Sequence, residues 1–166
     1  MINLDSSETK SEFFIQFNQL LNEIEQQLSD EECELINPSD LRRVANYIDG
    51  LKPLSKMRVH KVNLISYLER IIRLIDSNEF NETNVLLSRV GTLTSVLHYL
   101  NYKYDFSVGN ASIHSLALIG LIIDVIFAAI GLAKFYYFIP IMTLIYLYKG
   151  IKKQKILEAE GKILNL

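Results

Sequence analysis

Two apolar runs, residues 115–133 and 135–148, constrain this chain more than any other feature: together they hold a single charge, Asp124, with Lys134 alone between them. As helices, the first run of 19 residues is about 28 Å long and the second of 14 about 21 Å, against ~30 Å of hydrocarbon in a bilayer. The lengths predict a transmembrane or re-entrant hairpin over 108–150, with spans at about 114–133 and 135–149. Tyr136, Tyr137, Tyr146 and Tyr148 sit at the ends of the second run, where an aromatic belt would place them. Lys149, Lys152, Lys153 and Lys155 follow that run, and the positive-inside tendency makes the protein an integral membrane protein with both termini cytoplasmic. The stretch MINLDSSETK carries no apolar signal core, consistent with cytosolic synthesis.

Periodicity assigns faces to the first run. At 100° per residue, Ala117, Gly120, Asp124, Ala128 and Gly131 share one face and Ile119, Ile122, Ile123, Ile126 and Ile130 crowd the other. Small residues on one side of an apolar helix let a neighbouring backbone approach, so these five form a packing seam and turn Asp124 toward protein. Folding the pair about Ala133 brings Thr143 to the depth of Asp124, and the two form the expected intramembrane polar pair. A carboxylate in such a place is costly when charged, and burial raises its pKa, which predicts a protonated, hydrogen-bonded Asp124.

The rest of the chain reads as helices. Phe13, Phe14, Phe17, Leu20, Leu21, Ile24 and Leu28 recur at three- and four-residue spacing and predict an amphipathic helix from Ser11 to Leu28. The segment NPSD predicts a second, with Asn37 as N-cap, Pro38 in the first turn, and a stop at Gly50. A third is expected from Leu54 to Asp76 on the stripe Leu64, Ile65, Leu68, Ile71, Ile72 and Ile75. A fourth, capped by Asn81, is expected on Leu86, Val90, Leu93, Leu97 and Leu100. Short connections imply antiparallel neighbours, so the fold class is all-α: a bundle of about four helices over 1–107, the hairpin, and a short basic C-terminal helix over 151–166.

Charge is segregated although the net is only -2. Residues 1–41 hold ten acids and one base, whereas 42–73 hold eight bases and two acids. The basic block, Arg42, Arg43, Lys52, Lys56, Arg58 and Lys61, either pairs with the acidic helix or faces an anionic partner or lipid headgroups. The juxtamembrane lysines have the same choice. The acidic total and the lack of any nucleic-acid module argue against nucleic acid.

Nothing in the sequence assembles chemistry. His60, His98 and His114 are far apart and lack ligand spacing, Cys33 is a lone thiol, and no phosphate loop, nucleotide fingerprint or hydrolase motif occurs. The expectation is a protein that is not an enzyme, with no cofactor, no metal and no small-molecule substrate. Its partners would be membrane lipid and a protein, or a second copy bound through the hairpin. The layout is similar to that of membrane-inserted effectors, immunity proteins and bilayer-shaping hairpins, and richness in Asn, Ile, Lys and Tyr without Trp points to a bacterial gene. Three readings follow: a membrane-anchored interaction or scaffold protein, a membrane-active hairpin that forms pores or shapes the bilayer, and a soluble helical adaptor with two buried core helices.

Overall fold

In a computed structural model, residues 11–52, 54–129 and 140–165 are described, and the chain divides into two compact units, residues 1–99 and 100–165. The architecture is all-α. In the first unit, α1 (Glu12–Gln27) begins where the Ser11 hydroxyl accepts the amide of Phe14, and it buries Phe17, Leu21 and Ile24, three members of the expected stripe. The short α2 (Asp30–Ile36) was not anticipated. A capping box creates it: the Ser29 hydroxyl accepts from the Glu32 amide, and the Glu32 carboxylate accepts from the Ser29 amide.

Asn37 serves two helices at once. In left-handed conformation at φ 47° it closes α2, and its side chain accepts the Asp40 amide to open α3 (Pro38–Gly50). The long α4 (Leu54–Asp76) packs against α1, α3 and α5 (Glu82–Thr92), and buries Met57, Leu64, Tyr67, Leu68 and Ile71. Asn81 caps α5 through the Asn84 amide. A turn at Leu93 then separates α5 from α6 (Thr94–Tyr104), where a single fourth helix was expected. The hydroxyls of Ser88, Thr92 and Thr94 each return to the carbonyl four residues back, a bond that bends helices. The bend changes the buried face: Val85, Ser88, Leu93, Val96 and Leu100 are buried, while Leu86 and Val90 lie exposed.

In the second unit, β1 (Ser107–Val108) pairs in parallel with β2 (Ile163–Leu164), joining the segment before α7 (Ala111–Phe127) to the segment after α8 (Ile141–Ala159). The expected separate basic C-terminal helix over 151–166 is instead the second half of α8, which runs through the lysines without a break, and then the β2 strand. Helices α7 and α8 pack along one another. Gly120 lies against Met142 and Thr143, and Gly150 against Ser112 and Ile113, so the two run antiparallel.

The expected integral-membrane placement, with both termini cytoplasmic, is corrected here: among the described residues no helix is long and apolar enough to cross a membrane. α7 has 17 residues, about 25 Å. α8 has 19 residues, but its uncharged part ends at Tyr148, about 12 Å from its start, before Lys149, Lys152, Lys153 and Lys155. The expected spans counted apolar letters through 130–139, which lie outside the described residues.

Candidate functional site

The polar centre of the second unit is built on Asp124, from the last turns of α7. Its Oδ1 accepts the Met142 amide at 3.0 Å, and its Oδ2 accepts the Thr143 amide at 2.7 Å and the Thr143 hydroxyl at 2.6 Å. The sequence explains why α8 needs this. Its N-cap is Pro140, which has no side-chain oxygen, so the first amides of the helix lack a cap of their own. A carboxylate from the neighbouring helix satisfies two of them and sits at the positive end of the α8 dipole.

This geometry reverses the expected titration. Burial works against the charge, but the Thr143 hydroxyl and the Thr143 and Met142 amides outweigh it and hold the carboxyl below its ordinary value. Asp124 is therefore ionised at neutral pH rather than protonated. The direction was misjudged because burial alone was considered, without the donors of a helix N-terminus.

Gly120 allows the approach that makes these bonds. A Cβ on it would lie 2.7 Å from Thr143 Cα and 2.8 Å from the Met142 carbonyl oxygen. Of the expected seam, Gly120 is buried and Ala117 and Asp124 are partly buried, but Ala128 is exposed, and Gly131 lies outside the described residues. Ile123, assigned to the far face, is partly buried instead.

The other faces of α7 and α8 are bare. On α7 the side chains of Leu118, Ile119, Leu121, Ile122, Val125 and Ile126 are exposed; on α8 those of Ile141, Leu144, Ile145, Tyr148 and Ile151 are, all between 40% and 69%. The reading of these helices as two buried core helices does not hold, because only their inner faces are covered. At the far end of the pair, the buried Gln154 donates to the Gly109 carbonyl at 3.0 Å and to Asn110 Oδ1 at 3.3 Å, while Ser112 donates to Ser107 at 3.1 Å.

The basic block is split between two fates. Arg42 makes a two-pronged pair with Glu25 at 2.9 and 2.5 Å and also reaches Asn22 at 2.8 Å. Arg43 pairs with Asp40 at 2.6 Å, and Lys61 pairs with Asp49, which also accepts the Ser11 hydroxyl. The Arg42 pair ties α3 to α1 and the Lys61 pair ties α4 to α3, while the Arg43 pair lies within α3. Lys52, Lys56 and Arg58 are exposed; Arg58 and Lys61 line a shallow groove between α1 and α4 with Phe13 and Val62. Lys149, Lys152 and Lys155 are exposed on α8, as is Lys153, whose ammonium lies 3.9 Å from Asp105.

The titratable groups outside this pair are dispersed. His60 stacks on Tyr99 at 4.4 Å, and burial pushes its pKa down. His98 and His114 are exposed. Burial, with Glu25, Asp30 and Glu32 nearby, raises the Cys33 thiol pKa, which lowers its reactivity. Among the described residues no group of three His, Cys, Asp or Glu side chains could hold a metal ion. The Tyr67 hydroxyl is fully buried without a well-aligned hydrogen bond; burial raises its pKa, and the charge and hydrogen-bonding contact of the neighbouring Arg89 guanidinium oppose that. Arg89 itself donates to the Leu35 carbonyl at 2.6 Å, at the end of α2. Comparison with family models, curated proteins and solved structures returns no match.

Proposed function

We propose that this chain is a helical interaction protein of the adaptor type, in which an antiparallel bundle in the first unit serves as scaffold and the α7–α8 hairpin presents the contact surface. The observation that carries the reading is the exposed apolar outward side of α7 and of α8 as far as Tyr148, where no exposed side chain is charged. Fully burying a Leu or Ile stabilises by roughly 1.5–3 kcal/mol, so covering the exposed halves of eleven such side chains releases on the order of 10 kcal/mol. Association costs about 4–15 kcal/mol in lost freedom, so the gain from this side is of the same size as the cost and the partner's own apolar surface has to supply the surplus. Exposed apolar area of this extent marks an interaction site in a stable protein.

The polar groups of the hairpin support a binding role over a catalytic one. Three of the acceptor positions on Asp124 are taken by α8, which makes it a positioning residue for the contact surface. Three members of the basic block are engaged within the first unit, which leaves Lys52, Lys56 and Arg58 as a secondary surface for an acidic partner.

The test is a photo-crosslinking amino acid placed at Ile122 in the full chain in cells, with Glu23 on α1 as reference. Adducts to protein from position 122 and not from position 23 are expected. Absence of protein adducts at 122 would refute the reading.

A further inference from the structure

We infer that the outward side of α8 docks on an anionic lipid surface, with its apolar first half at the acyl boundary and its lysines on the headgroup phosphates. This narrows the reading above, because it leaves the outward side of α7 to the protein partner. The exposed apolar side chains of the two helices lie on opposite sides of the hairpin, and those of α8 run into exposed lysines. At 100° per residue, Ile141, Leu144, Ile145, Tyr148, Lys152 and Lys155 fall within about 100° of arc on α8, opposite the buried Gly150 and Leu157.

The lysines on this arc are the uncommitted ones. Lys149 sits over the Tyr146 ring at 5.2 Å and Lys153 lies 3.9 Å from Asp105, and both are off the arc. Lys152 and Lys155, on the arc, are exposed and make no ion pair among the described residues. No acid shares the arc with them: Glu158 and Glu160 fall outside it, and Glu160 pairs with Lys162 at 2.8 Å. Two ammonium groups are therefore open to anions on the same side of the helix as its exposed apolar residues.

The order of these residues along the axis favours lipid over an acidic protein. Ile141 to Tyr148 covers about 10 Å without a charge, and Lys152 follows about 6 Å further on. A helix at a bilayer surface buries its apolar part about 5–10 Å into the boundary between headgroups and acyl chains. Tyr148, 69% exposed, stands where the apolar part gives way to the lysines, and tyrosine favours that headgroup level. The four-carbon stems of Lys152 and Lys155 let their ammonium groups reach phosphate while the stems stay on apolar surface. A patch of acids matched to two lysines would leave the uncharged stretch uncovered, whereas a bilayer surface supplies both layers and needs no shaped groove. The contact lies on the membrane and does not cross it, in keeping with the absence, among the described residues, of a helix long and apolar enough to do so.

The experiment is flotation of the full chain with vesicles of phosphatidylcholine alone or with about 30% phosphatidylglycerol, at about 0.1 M salt. Wild type is expected to bind the anionic vesicles at least about tenfold more tightly and to lose that preference at high salt. A lysine at an anionic surface is worth about fivefold in binding, so Lys152→Gln with Lys155→Gln should weaken it by about 25-fold. Gln19→Glu with Gln26→Glu makes the same change in net charge on exposed positions of α1 and should stay within about twofold. Ile145→Ser should lose about fivefold, and Ile122→Ser on α7 less than about twofold. A wild type that stays off the anionic vesicles, equal binding to both kinds, or equal losses in the lysine variant and its charge control overturns the proposal. So do protein adducts from a photo-crosslinking residue at position 155 in a chain that binds no vesicles, which would give the lysines to an acidic protein. None of these outcomes alters the crosslink at position 122, so the lipid contact of α8 and the protein contact of α7 fail separately.

Discussion

Replacing Gly120 by Ala tests whether the close approach of α7 and α8 organises the second unit. The added methyl would lie 2.7 Å from Thr143 Cα, 2.8 Å from the Met142 oxygen and 3.0 Å from the Thr143 nitrogen, all backbone atoms that no side-chain rotation can clear. Restoring ordinary contact at about 3.5 Å means moving α8 outward by close to 1 Å. That movement lengthens all three bonds to Asp124. Overpacking of this kind costs about 1–3 kcal/mol, and the gain in helix propensity from Gly to Ala returns close to 1 kcal/mol. Because three backbone atoms are involved, a net loss of about 1–2 kcal/mol is expected. Gly150→Ala, whose nearest contact would be Ile113 Cα at 3.0 Å, should lose less. Gly50→Ala, with nothing within 4 Å at the end of α3, should be neutral or stabilising. Amide exchange in the first two turns of α8 reads the effect locally, free of the first unit. Protection unchanged or increased in Gly120→Ala would refute the reasoning.

Three further outcomes follow from named groups. Asp124→Asn should abolish the excess protection of the Met142 and Thr143 amides at neutral pH. In the wild type that protection should persist above the ordinary carboxylate value of 3.8 and be lost as pH falls through the lowered value, because the unfolded chain takes the proton first. His60 is partly buried, which pushes its pKa below 6.5, so the first unit should lose stability as pH drops from 7.5 to 5.5, and thermal melts of His60→Phe should show a flatter slope. Tyr67→Phe removes a buried hydroxyl whose contact with Arg89 is poorly aligned, so urea unfolding should show it neutral or stabilised by up to about 1 kcal/mol; a loss larger than that would place the hydroxyl in a full bond with Arg89.

Local chemistry was the most legible part of the sequence. Asn37, Pro38 and Asn81 act as their residue types dictate, and Phe17, Leu21 and Ile24 are the core of α1 as their spacing implies. Asp124 and Thr143 meet where Gly120, one of the expected small residues, lets the α8 backbone approach. What failed did so where a second local effect competed with periodicity. The stripe Leu86, Val90, Leu93 is evenly spaced, yet the back-bonded Ser88, Thr92 and Thr94 bend the chain and turn Leu86 and Val90 outward. The α2 signal, Ser29 three residues before Glu32, was present and lost among the surrounding acids. The membrane expectation counted the lengths of two apolar runs, 115–133 and 135–148, which pass through 130–139, outside the described residues; among the described residues no helix is long and apolar enough to cross a membrane.

Chemical shielding of Ile122 in the full chain in cells bears on whether protein covers the outer side of α7. In a Cys33→Ser background, maleimide labelling of Ile122→Cys is compared with Glu23→Cys. Ile122 is 50% exposed in a single chain, so an uncovered face predicts similar rates at the two positions. Labelling at position 122 in cells is expected to be slower by at least about tenfold than at position 23, with the two rates becoming similar in urea. Equal rates in cells would show the side of α7 bearing Ile122 to be uncovered.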